Sequence, residues 1–203
     1  MDSRLSTLLT HPLLWQTGMA RVTRESIATG FPALDERLPG RGWPAQGLIE
    51  LLSAEPGRSE LVLLAPALVR SLQESNSWVA LIAPPFDPYA PAFTAAGLDA
   101  NRVLVIRTTR LAWALEQVAR SAACRFILAW PQRMQVKSLR RLQLAAEQMG
   151  SLLVLGRPRN CRSSGSPAVL RVELSSTPAG LTLDIFKSRG GKAGRVCLSG
   201  IRS

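Results

Sequence analysis

Acidic residues are scarce in this chain of 203 residues, with 14 Asp and Glu against 25 Lys and Arg, a net charge of +11 and a pI near 11.2. That imbalance says little about fold and points to phosphate-rich or acidic partners. Histidine is nearly absent. The single one, His11, stands beside Pro12 near the N-terminus and is poor material for a catalytic triad or a metal centre. Three cysteines, Cys124, Cys161 and Cys197, are odd in number and widely spaced, which fits neither a disulfide framework nor a zinc site. No apolar run reaches the ~18 residues of a membrane span, and Pro66 interrupts the most apolar stretch. The N-terminus lacks a charged-then-apolar signal pattern, since Asp2 and Arg4 precede only Leu8 and Leu9 before His11-Pro12. A cytoplasmic location is expected, with no metal and no cofactor.

What the chain does have is apolar content, 46% of residues, enough for one folded domain with a substantial core. Its organising stretch is Gly42-Trp43-Pro44-Ala45-Gln46-Gly47-Leu48-Ile49-Glu50-Leu51-Leu52, followed by Ser53-Ala54-Glu55-Pro56-Gly57-Arg58-Ser59-Glu60-Leu61. Residues 48–52 read as a buried strand, residues 54–59 as a tight polar turn, and an apolar run restarts at Leu61. A strand feeding a glycine-bearing turn and a helix is the layout of a phosphate-binding loop. The pattern G-x-x-x-x-G-K-[ST] needs a first glycine for the bend, a second so that N–H groups cradle phosphates, and a lysine reaching the outer phosphates. Counting back from Gly57-Arg58-Ser59, the first glycine position holds Leu52, or Ser53 if the loop is one residue short, and the lysine position holds Arg58. The layout of a nucleotide site is present without the nucleotide's contacts.

Before this stretch, residues 1–27 form an N-terminal segment with Leu5, Leu8, Leu9, Leu13, Leu14 and Trp15, apolar enough to dock on the domain's own surface or on a partner. Residues 28–203 read as a single domain. Pro32 opens a short helix carrying Leu34 and Leu38. Leu61, Leu64, Leu68 and Leu72 fall at helical spacing, so residues 59–73 are a predicted helix that Pro66 should kink or shorten. Strands are predicted at 78–83, 103–106, 125–130 and 152–155, with helices beginning near Asp87-Pro88-Tyr89, at Leu111, and along Leu139, Leu142, Ala146 and Met149. Leu139, Leu142 and Met149 are expected in the core, and Lys137, Arg140 and Arg141 on a solvated face. This alternation predicts right-handed crossovers and a mostly parallel sheet. Residues 157–167 read as a basic turn-rich loop with nothing to bury. Three further runs, 169–174, 181–186 and 196–198, read as an antiparallel meander extending the sheet.

Thr29-Gly30-Phe31, Leu34-Asp35, Gly42-Trp43-Pro44 and Leu48-Ile49-Glu50 together resemble the start of the ATPase core of RecA-type recombinases. Asp87-Pro88-Tyr89-Ala90, the segment from Trp113 to Ala119, and Phe186-Lys187-Ser188-Arg189 extend that resemblance over residues 28–200. The fold it implies is α/β, a RecA-like P-loop NTPase core with a degenerate nucleotide site. Positions for ATP chemistry depart from the family pattern. Pro84-Pro85 replaces the glutamate after the second strand, Trp130 stands where a magnesium-holding carboxylate should end the fourth, and Arg157-Pro158 replaces the γ-phosphate-sensing glutamine. Ser53, Gly57, Arg58 and Ser59 are thus a vestigial phosphate loop, and no enzyme is expected. Phe86, Tyr89 and Trp130, read as exposed, are expected to fill the vacated pocket or, as the alternative, to meet a partner protein.

Within that group the chain is similar to the ImuA family of translesion-synthesis accessory proteins. The similarity is carried by His11-Pro12 with Trp15, Ala83-Pro84-Pro85 with Pro88-Tyr89-Ala90-Pro91, Trp113-Ala114-Leu115-Glu116, Leu128-Ala129-Trp130-Pro131 and Leu139-Arg140-Arg141-Leu142-Gln143-Leu144-Ala145-Ala146-Glu147. The resemblance implies a non-catalytic, SOS-induced helper of mutagenic DNA repair that contacts ImuB and an error-prone polymerase, with RecA and DNA as further contacts. Arg157, Arg159, Arg162, Lys187, Arg189, Lys192 and Arg195 fall where RecA-like folds carry DNA-facing loops. The first basic loop holds no aromatic residue, which weakens a claim specific to single strands. Two alternatives stand beside this reading: a SulA-like division inhibitor binding FtsZ, and a DNA-dependent ATPase with a non-standard loop.

Overall fold

The computed structural model describes residues 25–201, so the motifs around His11 and Trp15 lie outside the described residues. The chain opens with β1 (Ser26–Ile27), a short helix α1 (Pro32–Asp35) and β2 (Trp43–Pro44), which pairs antiparallel with β1. It continues through β3 (Gly47–Ser53), α2 (Arg58–Glu74), β4 (Trp78–Ile82), α3 (Ala90–Ala95), β5 (Val103–Ile106), α4 (Leu111–Arg120), β6 (Cys124–Ala129), α5 (Val136–Met149) and β7 (Leu152–Pro158). The meander follows as β8 (Leu170–Thr177), β9 (Gly180–Ser188) and β10 (Gly194–Ser199). One eight-stranded sheet results, in the order β10-β9-β8-β3-β7-β6-β4-β5. It is mixed: β8, β3, β7, β6, β4 and β5 run parallel to one another, while β9 pairs antiparallel with β8 and β10 antiparallel with β9.

Two apolar layers hold the sheet. Burying most of β3 on both faces requires a nearly continuous apolar run, and Leu48, Ile49, Leu51 and Leu52 are all fully buried. One layer joins Ile49 and Leu51 to Leu63, Leu64, Ala67, Leu68 and Leu72 of α2, and to Leu34, Leu38 and Trp43 of the opening segment. The other joins Leu48, Ile127 and Leu153 to α4 and α5 through Leu115, Leu139 and Leu142. The shortening expected at Pro66 does not occur, and α2 runs 17 residues through it. The missing N–H costs a hydrogen bond, but the buried pairs Leu63-Leu64 and Ala67-Leu68 on either side keep the rod seated on the sheet. Met149, expected in the core, is 40% exposed in the last turn of α5.

Arg102, from the 3-10 turn before β5, ties the end of α2 to the start of β4. Its guanidinium donates to the carbonyls of Leu72 (2.7 Å), Ser75 (2.5 Å) and Ser77 (2.8 Å). Helix C-terminal carbonyls lack intrahelical donors, so a cation here serves both as cap and as dipole complement. Replacing Arg102 with alanine is expected to cost about 2 kcal/mol, read as a lower midpoint in equilibrium urea unfolding.

Candidate functional site

The turn after β3 is where the sequence predicts a phosphate cradle, and two of its donors are engaged within the chain. Gly57 adopts φ +142° and caps α2; its N–H donates to Glu60 Oε2 at 2.7 Å, and Ser53 Oγ donates to Glu60 Oε1 at 2.9 Å. Glu60 is 1% exposed. A carboxylate in the first helical turn is favoured by the helix dipole, and here it accepts from two donors of the turn. A phosphate brought to about 4 Å from that carboxylate would be opposed by about 4 kcal/mol at an effective dielectric near 20.

Neighbouring side chains complete the closure. A Cβ on Gly57 would lie 2.8 Å from Pro85 Cγ and 2.9 Å from the Phe86 ring, so these residues cover the turn. A Cβ on Gly156 in β7 would lie 2.5 Å from the Trp130 ring and 3.4 Å from Glu60 Cδ. Trp130 is therefore packed inward and buried, not exposed as the sequence predicts, while Phe86 and Tyr89 remain exposed. Of the residues expected to form a vestigial phosphate loop, Ser53, Gly57 and Ser59 are buried and Arg58 is exposed.

Behind the loop lies a buried ion cluster that the sequence reading overlooked. Glu50, fully buried on β3, accepts from Arg157 of β7 at 2.8 Å and from Arg171 of β8 at 2.6 Å. Arg171 also donates to the carbonyls of Cys161 and Arg162. The signal was present: an acid inside the apolar run 48–52 requires a buried cation. Arg157 is only 3% exposed, which corrects its placement on a DNA-facing loop. The physical reason is that β7 continues to Pro158, alongside β3 as far as Ser53, and carries Arg157 inward. Residues 157–167 are likewise not free of burial, since Cys161 is enclosed.

The other basic residues are dispersed over the meander and the turn before it. Arg159 pairs with Glu173 at 2.7 Å, and Arg162 pairs with Glu173 and Asp184 while stacking on Phe186 at 4.3 Å. The hydrogen bonds that Arg162 donates to the carboxylates of Glu173 and Asp184 push its pKa up. Arg189 meets Glu147 of α5 at 3.1 Å. Lys187 donates to the Ser166 carbonyl at 2.6 Å. Lys192 and Arg195 are exposed and form no ion pair among the described residues.

Burial first, then the charges of Arg171 and Arg189, lower the Lys187 pKa below its ordinary value of 10.5. The folded chain therefore holds this proton less tightly than the unfolded chain, and stability rises with pH between the lowered value and 10.5. Burial raises the Cys124 pKa and gives the opposite slope, so the Lys187 contribution is read as the difference between parent and Lys187→Met thermal melts across the alkaline range, the parent gaining on the variant as pH rises.

Fold and site together define a mixed α/β protein with a mostly parallel central sheet, whose strand-turn-helix loop is closed by its own glutamate. No protein-family model matches the chain, and no curated protein matches it. Among solved structures it is similar to the crystal structure of SulA from Pseudomonas aeruginosa, at 23% identity over 54% of this chain and 97% of that chain, with a TM-score of 0.45. Among the described residues, no helix is long and apolar enough to cross a membrane, and no group of His, Cys, Asp and Glu side chains is placed to hold a metal ion.

Proposed function

We propose that this chain is a non-catalytic accessory protein of SOS-induced translesion DNA synthesis. It acts by contact with ImuB and an error-prone polymerase, with RecA and DNA as further contacts. The observation that carries the non-catalytic part is the carboxylate of Glu60 occupying the Gly57 N–H and the Ser53 hydroxyl. With Trp130 buried at the end of β6 and Pro84-Pro85 after β4, no carboxylate stands at the positions that would help hold magnesium or orient water. The RecA-type core with a vestigial phosphate loop is the reading that unites these departures with the motifs from Thr29 to Ser53. The translesion role rests on the resemblance of the wider motif set.

Two assays test it. Purified protein with ATP and magnesium, with and without DNA, should release no phosphate above buffer; saturable turnover lost on Arg58→Ala or Ser59→Ala would overturn the reading. Immobilised protein should retain purified ImuB and should not change the sedimentation of FtsZ polymers, whereas the reverse result would favour a division inhibitor. DNA contact is read by fluorescence anisotropy at two salt concentrations. Binding that falls with salt and weakens in a Lys192→Glu/Arg195→Glu variant is expected, and negligible binding at low salt would remove DNA from the partners.

A further inference from the structure

The helical layer over the other side of the sheet carries a surface unrelated to the phosphate loop. Residues 107–149 contain eight cationic side chains and only Glu116 and Glu147 as acids. Both acids are taken, Glu116 by Arg141 and Glu147 by Arg189. Along α4 and the residue before it, Arg110, Trp113, Gln117 and Arg120 recur at helical spacing, and all are exposed. Along α5, Lys137, Arg141, Leu144 and Gln148 do the same. At the N-terminal ends of the two helices lies a groove of about 360 Å³. Leu111, Trp113 and Met134 give it apolar walls, and Arg110 and Arg133 give it charge.

Trp113 is 52% exposed with the Arg110 guanidinium 4.9 Å above its ring, and Leu144 is 57% exposed on the next helix. A large aromatic and an aliphatic side chain left in water beside unneutralised cations form an amphipathic surface of one sign. Arg120, Arg133, Lys137 and Arg140 have no ion pair among the described residues. We propose that this groove binds an acidic peptide segment of a partner protein, its apolar anchor seated against Trp113 and Met134 and its carboxylates on Arg110, Arg133 and Lys137. Charge complementarity fixes the sign of the occupant. The apolar walls decide between macromolecules: a nucleic-acid strand needs successive stacking platforms, and the lining of this groove holds one aromatic ring together with aliphatic surface suited to a peptide. Tryptophan and arginine are also the residues that dominate protein interfaces. The inference stands on this groove alone and holds whether or not the chain works beside ImuB.

The test uses random peptides displayed on phage, selected on the full chain, and then the recovered peptide, fluorescein-labelled, in anisotropy titrations. Selection should enrich sequences that combine Asp or Glu with a bulky apolar residue. Binding should weaken about tenfold or more in Trp113→Ala and in Arg110→Glu, weaken in Lys137→Glu, and remain unchanged in Arg195→Glu on the meander. These positions are exposed, so unaltered thermal melts should show that the variants fold. Enrichment of non-acidic peptides, binding indifferent to Trp113→Ala and Arg110→Glu, or displacement of the peptide by an oligothymidylate that binds the groove more tightly would overturn the proposal.

Discussion

Glu50→Ala is expected to lower the unfolding free energy by about 3–5 kcal/mol, the usual cost of breaking a buried ion cluster from one side. The substitution strands two guanidinium groups. Arg171 keeps its bonds to the carbonyls of Cys161 and Arg162, whereas Arg157 loses its only ion-pair partner among the described residues and already has an Nε unpartnered among them. Against a typical total of about 5–15 kcal/mol, that loss leaves the fold marginal. The triple variant Glu50→Leu/Arg157→Leu/Arg171→Met removes the charges together and should recover most of the deficit. Equilibrium urea unfolding of the parent, single and triple variants reads both outcomes. A single variant within about 1 kcal/mol of the parent would mean that the cluster does not hold β7, β3 and β8 together.

Glu60→Ala is expected to cost about 2–4 kcal/mol, because it leaves the buried Ser53 hydroxyl and the Gly57 N–H without their acceptor. Glu60→Gln should cost less, since its amide oxygen can still accept from one of the two donors. Emptying the turn should not create an ATPase. Arg58 remains exposed, Trp130 still occupies the strand end, and Pro85 and Phe86 still cover Gly57. Thermal melts read the first expectation, and titration with a fluorescent ATP analogue together with phosphate release reads the second. Turnover in Glu60→Ala would show that the carboxylate alone had been blocking a working site.

The alternation of strands and helices was legible because each buried strand is an apolar run closed by proline, glycine or charge, and each long helix keeps an apolar stripe. The mostly parallel sheet and its antiparallel extension follow from that rhythm. What the rhythm conceals is lateral order: β8 beside β3 is a pairing between distant segments, and no local pattern encodes it. The same limit hid the ion cluster, whose two arginines each lie more than a hundred residues from Glu50. Arg157 read as surface because charge in a turn-like context usually is; only continued pairing of β7 with β3 turns it inward. Glu60 was visible at the third position of a helix, where an acid is ordinarily just a cap. Its placement in the cradle needed Trp130 and Gly156 beside it. Pro66 does not shorten α2 because the sheet beneath holds the buried leucines on either side of it.

The central place of β3 has a consequence for how the chain is made. Both neighbours of this strand, β7 and β8, begin at Leu152 or later, so during synthesis residues 47–53 wait for partners that emerge about a hundred residues afterwards. At ribosomal speeds of about 5–20 residues per second that wait lasts roughly 5–20 s. An unpaired run of Leu48, Ile49, Leu51 and Leu52 invites aggregation for as long as it stays open, and a charge in its middle is the usual safeguard. Glu50 thus guards the nascent strand before it locks the finished one.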